Sequence, residues 1–131
     1  MREEDFRKRL TPEEYSVLRK KGTELPFTGK FVNFNKKGQF ICKACGNIIF
    51  SSKTKFDSHC GWPSFYDAVP GSLEFKEDLS HGMKRTEVVC AECKSHLGHL
   101  FREPLNGTPT GNRFCINSVA LDFKEKEEKI N

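Results

Sequence analysis

Cys42-Lys43-Ala44-Cys45-Gly46 and, after an interval of 44 residues, Cys90-Ala91-Glu92-Cys93 are the stretches that decide how this chain folds. Two residues between thiols let both sulfurs of a pair converge on one tetrahedral ion, with Zn–S bonds of about 2.3 Å. Gly46 and Asn47 behind the first pair permit the tight turn that such a knuckle needs. One C-x-x-C pair alone could be a redox motif. Two of them, with no βαβ pattern around them, predict a closed four-thiolate structural zinc site made by Cys42, Cys45, Cys90 and Cys93. The interval exceeds the roughly 15–20 residues of a simple zinc ribbon, so intervening structure must bring the two knuckles together. Metal binding on the scale of ~10–16 kcal/mol then explains how a short, polar chain holds a β-fold.

Working outward, the composition is that of a small globular chain. The 131 residues are 36% hydrophobic and carry a net charge of +4, and twelve Phe supply bulky core material. Mean hydropathy is −0.62. No apolar run approaches the ~20 residues that cross a bilayer, and Met1-Arg2-Glu3-Glu4-Asp5 resembles no leader, so a cytoplasmic chain without membrane association is expected. In that compartment cysteines serve metal or redox chemistry rather than stable disulfides. The mild charge, with lysines interspersed among acids, calls for no nucleic-acid partner.

Short strand candidates separated by turns follow from Thr23 onward. Phe31–Phe34 and Gln39–Cys42 flank the turn Lys36-Lys37-Gly38 as a plausible hairpin, and Asn47–Phe50, Phe65–Val69, Leu73–Lys76 and Arg85–Val89 continue the pattern. Ahead of them, Asp5 to Lys21 reads as helical. Thr11 is its cap, with Pro12 at the first helical position and Glu14 completing a capping box, while Gly22 ends it. Its stripe of Tyr15 and Leu18 is narrow, as for a brace. The expectation is a mainly β fold of two packed antiparallel sheets with a structural zinc site and a short N-terminal helical segment. It forms one domain over residues 1–131, with a helical brace (1–22), a β body (23–123) and a charged tail (124–131).

Arg113-Phe114-Cys115-Ile116-Asn117-Ser118 reads as a further strand, running on through Val119, Leu121 and Phe123. Alternation puts Arg113, Cys115 and Asn117 on one face. A guanidinium next to a thiol favours the thiolate, the nucleophilic form, although a buried structural cysteine would fit the same pattern. Cys60, the other thiol outside the metal set, precedes Gly61-Trp62-Pro63, where the only tryptophan is either core or a pocket wall. His96-Leu97-Gly98-His99 carries two imidazoles three residues apart, a proton-donor pair or two surface residues.

These groups, together with Thr23-Glu24-Leu25-Pro26-Phe27-Thr28-Gly29, Lys55-Phe56-Asp57-Ser58, His81-Gly82-Met83-Lys84-Arg85-Thr86-Glu87-Val88 and Pro109-Thr110-Gly111-Asn112, occur in an order that resembles the B-type methionine sulfoxide reductases. The resemblance spans about Thr23 to Leu121. It implies reduction of methionine-R-sulfoxide, free or protein-bound, with the zinc site remote from the chemistry. Matched motif by motif, it makes Cys115 the nucleophile and Cys60 the resolving thiol, with Trp62 the platform for the substrate methyl. His96, His99, Arg113 and Asn117 surround the sulfoxide. It further implies thioredoxin as reductant, oxidised proteins as substrates, and a monomer. Two departures stand out: His59 occupies a position the family usually gives to Gly, and Arg102-Glu103-Pro104-Leu105-Asn106 replaces a commoner Asp-Asp-Gly-Pro-type loop. A zinc-stabilised binding module is the alternative of another class, but it leaves Cys60, Trp62 and Cys115 without a joint purpose. A zinc hydrolase fails because four thiolates leave no open position for water.

Overall fold

The computed structural model describes residues 2–125. Two short helices, α1 (Glu3–Arg9) and α2 (Pro12–Lys20), precede nine strands: β1 (Gly38–Cys42), β2 (Ile48–Ser51), β3 (Lys55–Phe56), β4 (Ser64–Phe65), β5 (Leu73–Asp78), β6 (Arg85–Cys90), β7 (His96–Arg102), β8 (Asn112–Ile116) and β9 (Leu121–Glu125). All pairings are antiparallel. They form a three-stranded sheet in the order β2-β1-β9 and a six-stranded sheet in the order β3-β4-β8-β7-β6-β5. The mainly β fold expected from the sequence, with its short N-terminal helical segment, is what the chain adopts.

Aromatic side chains fill the space between the sheets. Phe40, Phe50 and Phe65 are fully buried. Phe50 stacks on Phe65 with ring centroids 4.2 Å apart, and Phe40 meets Phe65 edge-on at 5.1 Å. Such pairs add about 0.5–1.5 kcal/mol each beyond the area they bury. Phe31 and Phe34 enter this cluster from a turn rather than a strand, so the hairpin expected over Phe31–Cys42 does not form. The reason is that both edges of β1 are already taken, by β2 and β9.

Three further differences bear on the site. The single helix expected over Asp5–Lys21 is two, because proline at position 12 forces Thr11 into extended backbone (ψ 162°). The capping box of Thr11 and Glu14 forms as expected, but the left-handed residue at the end of α2 is Lys21 (φ 60°), not the adjacent Gly22. Phe6, Leu10, Val17 and Leu18 are buried in the core, a broader apolar contact than the Tyr15/Leu18 stripe suggests. Second, the strand through Cys115 does not run on to Phe123. It breaks at Asn117, passes through a 3-10 turn (Ser118–Ala120), and resumes as β9 in the other sheet. Lys124 and Glu125 of the expected tail belong to β9, and the remainder of that tail falls outside the described residues. Third, β7 is a central strand that the pattern of apolar residues does not announce. Its Gly98 is required: a Cβ there would overlap the carbonyl oxygen of Cys115 on β8. No helix among the described residues is long and apolar enough to cross a membrane.

Candidate active site and metal centre

Cys42 closes β1 and Cys90 closes β6, and each is followed by the same knuckle. The Cys42 N–H donates to the Asn47 carbonyl (2.8 Å) and the Gly46 N–H to the Cys42 carbonyl (2.8 Å). In the second copy Cys90 donates to Ser95 (2.9 Å) and Lys94 to Cys90 (2.8 Å). The fifth residue is left-handed in both, Gly46 at φ 83° and Lys94 at φ 64°. The knuckles bring all four sulfurs within 4.8 Å of one another. Cys42 and Cys93 Sγ are 3.7 Å apart, and Cys45 and Cys90 Sγ 3.6 Å. Four bonds of about 2.3 Å around a tetrahedral ion give sulfur–sulfur edges of about 3.8 Å, so the thiols fit one metal ion. Burial, then the neighbouring sulfurs, push Cys45 up to about 12, so thiolates packed this closely require a cation. From α2, Arg19 donates to the Cys93 carbonyl (2.8 Å), tying the N-terminal helices to the second knuckle.

The other two thiols meet elsewhere in the large sheet, two strands from β6. Cys115 sits in the middle of the six-stranded sheet, opposite His99 of β7 and Ser64 of β4. Its sulfur lies 3.4 Å from that of Cys60, delivered by the Ser58–Pro63 loop. They border a cavity of about 250 Å³ that Trp62, His99, Arg113 and Asn117 also line. His96 does not line it. It is buried behind, with its ring 5.5 Å from that of His99. A larger cavity of about 1,080 Å³, bordered by Lys36, Lys53 and Lys124, contains none of the cysteines or histidines that could do chemistry.

Backbone and hydrogen bonds fix each of these side chains. The indole Nε1–H of Trp62 donates to the Glu24 carbonyl (3.0 Å). Asn117 accepts from the Glu24 N–H through Oδ1 (3.0 Å) and donates to the Leu97 carbonyl through Nδ2 (3.0 Å). His59, immediately before Cys60, has φ 60°, in the left-handed region that favours glycine. The Arg113 guanidinium grips Glu103 through Nε (2.9 Å) and lies 4.4 Å over the Phe101 ring. Its charge is therefore shared with Glu103 rather than directed at Cys115 alone. The charge of the sulfur pair rests on Cys60, pulled down to about 4, first by the hydrogen bond that the Cys115 thiol donates. The same bond and then burial push Cys115 up, against the pull of Arg113.

Several side chains of the site are given no role by the sequence reading. Asp78 holds the Nε2–H of His99 at 2.7 Å, and that hydrogen bond, above all, keeps the carboxyl well below the usual range. Glu87 holds Nδ1 of His96 at 2.8 Å. His96 is pushed down by burial, with Glu87 pulling the other way. Thr23, Arg85 and Phe101 complete the cavity wall, and the buried Arg85 Nε has no hydrogen-bond partner among the described residues. For Glu87 the sequence offers its place in the motif His81–Val88 and in a strand candidate where Val88 and Val89 follow it.

The SelR domain family matches residues 10–125, and the chain belongs to it. Relatives bearing the printed name peptide methionine sulfoxide reductase MsrB agree along almost the whole chain. That of Leifsonia xyli is 52% identical over 96% of this chain and 91% of its own length. That of Methanosarcina barkeri is 54% identical over 96% and 88%. The resemblance drawn from the ordered motifs is thereby borne out. In structure, the Mis18 'Yippee-like' domain shares the fold, with a TM-score of 0.54 at 20% identity, covering 71% of this chain and 100% of that one. That likeness speaks to fold alone.

Proposed function

We propose that this chain is a peptide-methionine (R)-S-oxide reductase, returning methionine-R-sulfoxide, free or in oxidised proteins, to methionine. The observation that carries the proposal is the pair of sulfurs 3.4 Å apart at a cavity faced by Trp62, His99 and Asn117, in a chain of the SelR family. The sulfoxide methyl rests on Trp62. Cys115 passes its proton to Cys60 across the sulfur–sulfur contact and attacks the sulfoxide sulfur as thiolate. His99, its Nε2–H held by Asp78, has Nδ1 to carry the proton that the departing oxygen requires. His96 and Arg113 support the site from behind His99 and beside Cys115. Oxygen passes from methionine to Cys115, and one proton is taken up. Methionine leaves, and Cys115 is a sulfenic acid. Cys60 attacks that sulfur, water leaves, and a Cys60–Cys115 disulfide remains. Thioredoxin supplies the two electrons that restore the thiols.

Cys42, Cys45, Cys90 and Cys93 would hold a structural Zn²⁺, whose part is to tie the two sheets together. The enzyme acts as a cytoplasmic monomer of one domain. The test is dithiothreitol-driven reduction of the R and S epimers of a methionine sulfoxide substrate, with Cys115→Ser alongside. Turnover of R only, abolished in the variant, is expected. Turnover of S, or retained activity in Cys115→Ser with full metal content, overturns the proposal.

A further inference from the structure

The two histidines of β7 are held by two acids, and one lysine joins the acids. Asp78 binds His99 with Oδ2 (2.7 Å) and Lys21 Nζ with Oδ1 (3.3 Å). Glu87 binds His96 with Oε2 (2.8 Å) and the same Nζ with Oε1 (3.4 Å). Each carboxylate thus gives one oxygen to an imidazole and the other to a shared ammonium, and Asp78 accepts in addition from the Ser80 N–H at Oδ1 (3.0 Å) and pairs with Arg85 at Oδ2 (3.4 Å). Both carboxylates are buried, with side-chain exposures of 2% and 9%. Two buried acids this close to one cation are held in a fixed orientation by it, because either would otherwise face the other's charge in a medium that screens poorly.

A second observation singles out Lys21. It occupies the left-handed position that ends α2, at φ 60°, although Gly22 stands next to it. A side chain there strains the backbone, and glycine is the usual occupant. The strained position aims the lysine from the helix end onto the acids of β5 and β6.

We propose that Lys21 is a positioning residue: it clamps Asp78 and Glu87 so that both imidazoles keep one orientation. The proposal that protons reach the sulfoxide from these imidazoles belongs to the reductase function above, and the clamp bears on activity through it. The groups facing His96 are Glu87 from β6, His99 on its own strand and Lys21 from α2. Around His99 stand Asp78 from β5, Arg85 from β6 and, from β8, Cys115 and Arg113, with Cys60 across the cavity. Lys21 is the member of this set that bridges both acids. Removing its charge stabilises the imidazolium, so His96 titrates at higher pH.

Lys21→Gly provides the test, because glycine relieves the left-handed strain while deleting the ammonium. The backbone strain at the helix end is relieved, while the two buried acids lose a shared cation, so a thermal melt accompanies each measurement. The His96 imidazole, followed by NMR in the metal-loaded protein, should titrate higher by about half a unit to one unit. The pH profile of kcat should change, with KM little changed, because His99 loses the orientation that Asp78 and Lys21 together give it, and Lys21→Arg should restore both. An unchanged His96 midpoint in Lys21→Gly overturns the proposal, as does a loss of thermal stability with no change in midpoint or profile. Inactivity of the parent on both epimers would strike the reductase function instead, and the NMR midpoint would still decide the role of Lys21.

Discussion

Replacing Cys45 by Ser removes one of the four sulfurs that gather the two knuckles, and its cost follows from where they sit. Cys42 ends a strand of the small sheet and Cys90 a strand of the large one, so a shared ion closes a loop of about 48 residues. Counted only as a cross-link, such closure removes unfolded-chain entropy equivalent to about 4 kcal/mol at 25 °C. Unfolding entropy for a chain of this length is roughly 0.27 kcal/mol/K near the transition, so Tm should fall by about 15 °C. That is a lower bound: metal–thiolate binding reaches ~10–16 kcal/mol in small zinc domains, against a usual total stability of ~5–15 kcal/mol. Thermal melting followed by Trp62 fluorescence, paired with metal analysis of both proteins, measures it. The expected result is one metal per chain in the parent, and in Cys45→Ser a lost metal with a Tm drop of at least about 15 °C. A variant melting within about 3 °C of the parent, or a folded parent free of metal, would refute the cross-link.

Two further outcomes concern the sulfur pair. Cys60→Ser should release one methionine per enzyme, lose thioredoxin-driven cycling and recover part of it with dithiothreitol, while the parent given one equivalent of substrate shows a Cys60–Cys115 link by mass spectrometry; normal cycling with thioredoxin in the variant would remove Cys60 from the resolving role. Because Cys60 is pulled down to about 4, its folded value lies below that of an ordinary thiol near 8.5 and the pair stays singly ionised between them. Iodoacetamide should therefore alkylate the pair at about pH 5.5 at more than a tenth of its rate at about pH 8.5; a rate falling tenfold per pH unit over that range, as for an isolated thiol, would contradict the shared proton.

Local chemistry was legible in the sequence, and long-range neighbours were not. The C-x-x-C knuckles are readable because four residues of spacing already determine where two sulfurs point. Cys60, Trp62 and Cys115 were reached through ordered motifs, and the structure brings them together. By contrast β7 escaped notice, since Gly98 weakens the strand pattern and its purpose appears only with the Cys115 carbonyl against it. The expected continuous strand from Arg113 to Phe123 failed for a similar reason. Asn117 spends its amide on Glu24 and Leu97 from distant parts of the chain, and the backbone turns there. Lys21, Asp78 and Glu87 are ordinary charged residues until the helix end and two strands converge. Glu103 lay in a loop noted only for differing from relatives, yet it takes half the attention of Arg113.

The two groups of sulfurs lie apart: through His99, Cys115 is level with Glu87 of β6 two strands away, and Cys90 ends that strand three residues, about 10 Å, further on. In the proposed cycle Cys115 is oxidised at every turnover, and the chain holds five other thiols that could react with it. An ion engaging Cys42, Cys45, Cys90 and Cys93 would leave Cys115 one partner, Cys60. Oxidants strong enough to strip a bound metal would therefore free four more thiols in a weakened fold, and the damage should show as scrambled disulfides and covalent oligomers together with a lowered Tm.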